Sequence, residues 1–350
     1  MINNVCNIAN FNCTFNVNGK SKPLLDYFES IVFPAMTKAN ITRETKKNKE
    51  KTAEYFFIDV KLIEIKKDEY ALVGKHVKRA FLRINQDITP DGKITPIGQI
   101  TNSAPTSTFI LLLRNHRVIY FKNDLLGGSP DIRSFNTTVR EIVRKFIRGK
   151  RLNLINELKK SEFKYNGVKY SKISDFTEKV INEIYPWSEI NIVPIESKDL
   201  IDQKFKEINK INELKLSIYN LNSENHFGSY LSTVSNFASQ IGTDKIEQKS
   251  TNVQNVDEVK KVINLSEGGK FNYLIKGTTK NNETIKLTPN DVAESIPIKY
   301  NDTSSDIHII DVVFKTVENR NEIKNDNSEE NSSNYKSQIG VLERLKNLFS

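Results

Sequence analysis

The sequence predicts an α+β protein with an N-terminal antiparallel β-meander and flanking helices, a second layered α/β domain, and a short C-terminal helix on a flexible tether. Three observations lead to this prediction. Apolar residues alternate at period two over 11–17 and 55–62, as they do in half-buried strands. They recur at helical spacing over 132–146. After residue 187, strand-like and helix-like runs alternate, which is typical of a sheet covered by helices.

The chain is predicted to open with a strand and a helix. Gly19 ends the strand, and Ser21 and Pro23 begin a helix that Pro34 stops. The run over 40–51 is rich in charged residues and is predicted to be an exposed loop or a frayed helix. The inward face of the strand is predicted to carry Phe11, Cys13, Phe15 and Val17.

A meander of strands follows. A turn near Asp68 joins the strand over 55–62 to a returning strand over 70–83. The segment 108–113 is apolar on both faces, as in a central strand, and the chain then reverses into 117–121. One face of the first strand is predicted to carry Phe56, Ile58, Val60 and Leu62.

A long helix is predicted to begin at Ser129, because serine is a good N-cap and Pro130 a good first helical residue. Asn166 and Gly167 then predict a tight hairpin. We place the end of a basic α+β domain at residue 186. The core face of the long helix carries Ile132, Phe135, Val139, Ile142, Val143 and Phe146.

The second domain is predicted over 187–317. A strand over 190–195, a helix capped by Ser197 and a strand over 214–218 form a βαβ pattern. Two amphipathic helices and a hairpin over 271–287 complete it.

The C-terminal segment is predicted to be a tether and a docking helix. Residues 318–338 are polar and are predicted to form a disordered linker, because they bury too little apolar surface to offset ordering. An amphipathic helix over 339–350 is expected either to bind a protein partner or another subunit, or to fold back on its own domain. Its predicted docking residues are Leu342, Leu345, Leu348 and Phe349.

Charge is distributed unevenly along the 350 residues. Residues 1–170 contain 30 Lys and Arg against 16 Asp and Glu, a net charge of +14, whereas the remainder has 22 against 27 and nets −5. Such a basic half attracts polyanions or acidic proteins. With two cysteines, no signal peptide pattern and no apolar run of about 20 residues, we expect a cytoplasmic protein without a membrane partner.

The candidate binding residues lie on the long helix. Arg140, Arg144 and Arg148 are spaced by four and share one face, where their guanidinium groups suit successive phosphates of DNA or RNA. A plain solvated face and an acidic protein surface, including the chain's own second half, are the alternatives. The helix patch is widened by Lys145, Lys150 and Arg151. A second basic group, the strand cluster, lies off the helix and consists of Lys75, Lys78, Arg79 and Arg83 on the strand over 70–83, with Arg117 at the nearby hairpin turn. The alternative for this cluster is edge-strand charge that discourages aggregation.

No catalytic, cofactor or metal site is predicted. Glu64 and Lys66 have the E-x-K form of metal-dependent nucleases and are predicted to share one strand face, but Asp59 is expected on the other face. The four histidines lack the spacing of metal ligands.

The sequence therefore predicts a nucleic-acid-binding protein with phosphate-backbone contacts and little sequence specificity, acting within a multi-protein system. The alternatives are an interaction or scaffold component, for example of a bacterial phage-defence system, and a Mg²⁺-dependent nuclease.

Overall fold

A computed structural model describes residues 4–38, 40–88, 90–122, 128–158, 163–170, 177–219, 229–243, 245–265, 269–299, 306–324 and 329–349. The fold is α+β, as predicted. Within the described residues, ten strands form a curled antiparallel sheet, four form a second antiparallel sheet and two form an isolated hairpin.

The large sheet contains most of the N-terminal half. Its strands are β1 (Asn4–Val17), β2 (Lys20–Pro23), β3 (Arg43–Lys47), β4 (Glu50–Lys66), β5 (Glu69–Ile88), β6 (Ile94–Ser103), β7 (Thr106–Leu112), β8 (Arg117–Lys122), β11 (Trp187–Pro194) and β16 (Ile296–Ile298). Their spatial order is β11-β1-β8-β7-β5-β4-β3, with β2 and β16 also paired to β1, and β6 to β5.

The other strands build the small sheets. The hairpin is β9 (Phe163–Tyr165) and β10 (Val168–Tyr170), and the second sheet has the order β13 (Lys245–Val253), β12 (Ile208–Tyr219), β14 (Phe271–Thr279) and β15 (Thr284–Leu287). The helices are α1 (Phe33–Thr37), α2 (Ile132–Leu158), α3 (Glu178–Ile184), α4 (Lys198–Glu207), α5 (Ser229–Gln240), α6 (Val256–Asn264), α7 (Asp306–Val317), α8 (Asn321–Lys324) and α9 (Glu329–Phe349).

Helices cover both faces of the large sheet. Successive side chains of each strand point to opposite faces, so they enter two separate cores. Phe11 and Phe15 of β1 enter the core beneath α1, α2 and α9, whereas Ile8 enters the core beneath α7. The long helix α2 therefore has one buried side and one side toward solvent, which fixes the orientation of its arginines.

The second sheet is held against β11. The chain leaves the large sheet after β11 and returns at β16, and both strands pair with β1. Gly269 has φ +75°, and a Cβ atom there would lie 2.7 Å from the Val193 carbonyl oxygen. Asn10 Nδ2 also donates to the Gly269 carbonyl at 3.3 Å. A side chain at position 269 would thus separate β14 from β11.

A buried hydrogen-bond network fixes the first half of α2. His76 Nδ1 lies 2.9 Å from the Tyr120 hydroxyl, and His76 Nε2 lies 3.0 Å from Thr138 Oγ1 on α2. Arg43 Nε donates to the same Thr138 oxygen at 3.1 Å. Burial, reinforced by the Arg43 charge, lowers the pKa of His76 to about 3, so the imidazole is neutral at physiological pH.

Three predicted elements in the first half are corrected. The helix expected from Ser21 to Pro34 is a 3₁₀ turn over Leu24–Tyr27, a π-helical turn over Phe28–Val32 and then α1, which contains Pro34 in its first turn. The segment 40–51, predicted as an exposed loop or a frayed helix, contains β3, whose polar side chains suit an edge strand. A register shift at Asp59 (φ +54°) rotates β4, so Phe57 rather than Phe56 joins Leu62 in the core beneath α2.

The second half also differs from its prediction. The strand placed after residue 186 is β11, which belongs to the large sheet, and β12 pairs antiparallel in the other sheet, so there is no parallel βαβ unit here. The linker predicted over 318–338 overlaps α8 and α9, whereas 325–328 lie outside the described residues. Residues before 339 extend α9 because Tyr335 packs into the core.

Candidate nucleic-acid interface

A groove of about 440 Å³ runs between α2 and β11. One side of α2 is buried and carries Val139, Ile142 and Phe146. Residues spaced by four on the opposite side of the helix therefore face solvent. Ser188, Glu189 and Ile190 form the opposite wall. The α2 wall consists of Thr137, Arg140, Glu141, Arg144, Lys145 and Arg148.

The three predicted arginines line this groove together. Arg140, Arg144 and Arg148 are exposed, and each is displaced from the next by about 6 Å along the helix axis. Within the described residues, none of the three makes an ion pair or side-chain hydrogen bond. Because like charges at this spacing destabilise a helix by about 0.2–0.5 kcal/mol per pair, the arrangement costs stability in the free protein.

The carboxylates of the groove have other partners. Glu141 pairs with Lys145 at 3.1 Å, and Lys145 Nζ also donates to the Thr42 carbonyl at 2.7 Å. Glu189 accepts a hydrogen bond from Asn191 Nδ2 at 3.1 Å. Lys145 therefore lines the groove with its ammonium group already bound to Glu141 and to the Thr42 carbonyl, whereas the arginine charges remain available to an anion.

The end of α2 does not extend the exposed cluster as predicted. Arg151 is 6 % exposed, donates to Glu178 and Asn182 at 2.6 Å each, and stacks its guanidinium carbon 4.6 Å from the Trp187 ring centre. It holds α3 and β11 to α2 and is corrected from a binding residue to a structural one. Lys150 lies over the Phe146 ring at 5.5 Å.

The predicted strand cluster lies apart from the groove. Lys75 pairs with Asp306 of α7 at 2.6 Å, so it lies on the face of the sheet opposite α2. Arg79 pairs with Glu54 at 3.3 Å, and Lys78 is half-buried on β5. Arg117 is 6 % exposed, so it does not belong to the predicted binding surface. Its burial lowers the pKa of the guanidinium group to about 10. The Arg83 side chain lies outside the described residues.

Glu64 and Lys66 are separated by a register shift at the end of β4. Glu64 pairs with Lys346 of α9 at 2.7 Å, which lowers the pKa of Glu64, and Lys66 pairs with Glu318 at 2.7 Å beside α7. The two side chains thus face opposite helices, and the predicted shared face is wrong. In the part of the chain that is described, no three His, Cys, Asp or Glu side chains are grouped to hold a metal ion.

The predicted docking helix packs on its own sheet. Leu342 and Leu345 are 1 % and 4 % exposed within the core beneath α2, so they are unavailable to a partner. Tyr335 accepts from the Tyr70 backbone and donates to the Asp68 carbonyl, both at 2.9 Å. Leu348 is exposed, and the Phe349 side chain lies outside the described residues. Spacing of Tyr335 and Ile339 with Leu342 was the available signal for a longer helix.

A second groove of about 300 Å³ adjoins the first, since Thr137 lines both. It lies where α2 and β11 meet the second sheet. Arg133 pairs there with Asp291 at 2.7 Å, so its charge is met within the chain. The other polar lining residues are Asn136, Asn272, Lys286, Thr288 and Asn290, which sequence periodicity does not bring together.

Comparison of the chain with protein-family models, with curated proteins and with solved structures finds no match. No helix within the described ranges is both long enough and apolar enough to cross a membrane. The groove chemistry is consequently the basis for any functional conclusion.

Proposed function

We propose that the protein binds nucleic acid through the groove between α2 and β11, with Arg140, Arg144 and Arg148 contacting successive phosphates. The observation that carries this proposal is three exposed guanidinium groups on one wall, unpaired within the described residues. Guanidinium groups bind phosphate oxygens in pairs of parallel hydrogen bonds, and regular spacing along a helix suits a repeating polyanion.

Such contacts read the charge of the backbone and not its sequence. Ser188 adds a hydroxyl group to the groove, which also suits phosphate oxygens, whereas the Thr137 hydroxyl donates to the Arg133 carbonyl at 3.0 Å. We therefore expect binding with little sequence preference and with strong dependence on salt.

The test is a salt titration of binding to single-stranded DNA, single-stranded RNA and duplex DNA by the full chain. The variant changes Arg140, Arg144 and Arg148 to Ala together. Log affinity of the wild type should fall linearly with log salt, and the variant should reduce the magnitude of this slope by about 2, since each lost phosphate contact accounts for about 0.7–0.9.

The matched control changes Lys206, Lys210 and Lys280 to Ala. These lysines are exposed and lie on α4, on β12 and in the turn after β14, and their replacement removes the same formal charge. The control should retain the wild-type slope. No binding by the wild type at low salt would contradict the proposal and favour a protein-interaction role.

A further inference from the structure

The second groove differs from the first in the chemistry of its walls. Arg133 is paired with Asp291, the Thr288 hydroxyl donates to the same carboxylate, and the polar groups that remain are three side-chain amides and the Lys286 ammonium. Ile192 and Pro194 form an apolar wall between them. Three amides beside an apolar wall suit a planar hydrogen-bonding group, and the Lys286 ammonium adds a further donor.

The amides are positioned to recognise such a group. Asn136 Oδ1 accepts from the Ile192 backbone N–H at 3.2 Å, and the Nδ2 donor of this amide has no hydrogen-bond partner within the described residues. Asn272 and Asn290 contribute two more amides, and neither makes a side-chain hydrogen bond within the described ranges. Asn272 and Asn290 each offer a donor and an acceptor, the pattern that matches a base edge, and Asn136 adds a donor.

The two grooves are adjacent along one helix. Asn136 precedes Arg140 by one helical turn, about 6 Å along the axis, and Thr137 lines both grooves. A strand whose phosphates follow the arginines therefore passes the amide pocket.

We propose that the pocket formed by Asn136, Asn272 and Asn290 receives an unstacked nucleobase, so that the ligand of the groove is single-stranded nucleic acid. This inference rests on the proposed phosphate contacts of Arg140, Arg144 and Arg148. Single strands present base edges that duplexes hold in pairs, and proteins read them by hydrogen bonds to splayed bases.

The experiment measures binding of the full chain to three ligands of equal length: a single strand with bases, a single strand of the same backbone without bases, and a duplex. The variant changes Asn272 and Asn290 to Ala, leaving Asn136 with its backbone contact. The control changes Asn209 and Asn281 to Ala, two exposed residues at the start of β12 and in the turn after β14.

The wild type should prefer the base-bearing strand over the abasic strand by at least about fivefold, as expected for base-edge hydrogen bonds. The Asn272 and Asn290 variant should lose that preference while binding the abasic strand as the wild type does, and the control should keep it.

Equal wild-type affinity for the abasic and base-bearing strands, or tighter binding of the duplex, would overturn the base pocket. If the arginine triple variant still lost binding, the phosphate contacts would stand without it. If that variant bound every ligand as the wild type does, the proposed function itself would fail.

Discussion

Two basic regions of this protein have similar charges and opposite relationships to the fold. On β5, Lys75 and Arg79 are paired with Asp306 and Glu54. On α2, Arg140, Arg144 and Arg148 line a groove without an ion pair in the described chain. The ion pairs of the β5 region connect this strand to α7 and to β4. The arginines of α2 repel one another, and their charges remain available to a ligand.

This difference shows why a count of cations is a poor guide to a binding surface. Exposed ion pairs are worth little to stability, but a pair satisfies the charge and reduces its availability to an external anion. Uncompensated like charges at helical spacing are more informative, because they cost stability that a bound polyanion recovers.

The largest effect should come from the buried side of α2. Phe135 is fully buried and contacts Phe109 and Tyr120 with ring centres 5.2 and 5.1 Å away. Phe135→Ala should reduce the free energy of unfolding by about 3–5 kcal/mol, measured by urea denaturation. A loss below about 1 kcal/mol would mean that α2 is not anchored by this face.

Acid should weaken the connection between β5 and α2. The pKa of His76 is about 3 in the fold against an ordinary value near 6.5, so between these values the unfolded chain binds a proton that the folded protein does not. Stability should therefore fall as pH drops below about 6.5, by up to about 1.4 kcal/mol per pH unit from this residue. Above pH 6.5 the residue is neutral in both states and contributes no pH dependence.

The measurement is the unfolding free energy as a function of pH. His76→Gln should flatten the slope below about pH 6.5. A wild-type slope retained in His76→Gln would show that His76 is protonated in the folded protein. His116, whose pKa burial also lowers to about 3, should account for part of the remaining slope.

A smaller loss is expected on the strand. Lys75→Ala removes the pair with Asp306, which is partly exposed, and should lower the free energy of unfolding by about 0.2–1 kcal/mol. Thermal unfolding at low and high salt checks this, since salt should shrink the difference. A higher free energy of unfolding in Lys75→Ala would mean that Lys75, like the unpaired arginines of α2, destabilises the free protein.

The smallest effect should have the opposite sign. Arg144 lies between Arg140 and Arg148, so Arg144→Ala relieves two like-charge pairs and should raise the free energy of unfolding by about 0.5 kcal/mol without ligand. Lys315→Ala on α7 is the control, because Lys315 pairs with Asp311 at 2.8 Å and its removal should not stabilise the protein. A lower free energy of unfolding in Arg144→Ala would indicate that Arg144 makes a stabilising contact in the free protein.

Local sequence patterns predicted one wall of the groove. The apolar spacing of α2 and the four-residue spacing of its arginines are local signals, and the structure shows the helix and the arginine face together. The predicted N-cap at Ser129 is wrong, because α2 begins at Ile132 and the Ser134 backbone N–H donates to Asp131 Oδ1 at 2.8 Å. The facing strand β11 was predicted as a strand but not as a neighbour of β1, because that pairing is antiparallel across 171 or more residues of chain.

Long-range contacts account for what sequence reasoning missed. The partners of Lys75 and Lys66 lie on or beside α7, more than 200 residues away in the chain. The shift at Asp59 inverts the alternation of β4, an effect that a period-two pattern does not reveal. The amides of the second groove come from three separate elements, so no spacing rule connects them.

The most direct test compares the two basic regions in one binding experiment. Affinity for a single-stranded oligonucleotide is measured across a salt series for the wild type, for Arg140, Arg144 and Arg148 changed to Ala, and for Lys75, Lys78 and Arg79 changed to Ala. We predict that the helix variant loses affinity and about 2 from the magnitude of the salt slope, whereas the strand variant keeps the wild-type slope. Equal losses in the two variants would contradict the assignment of binding to the α2 groove.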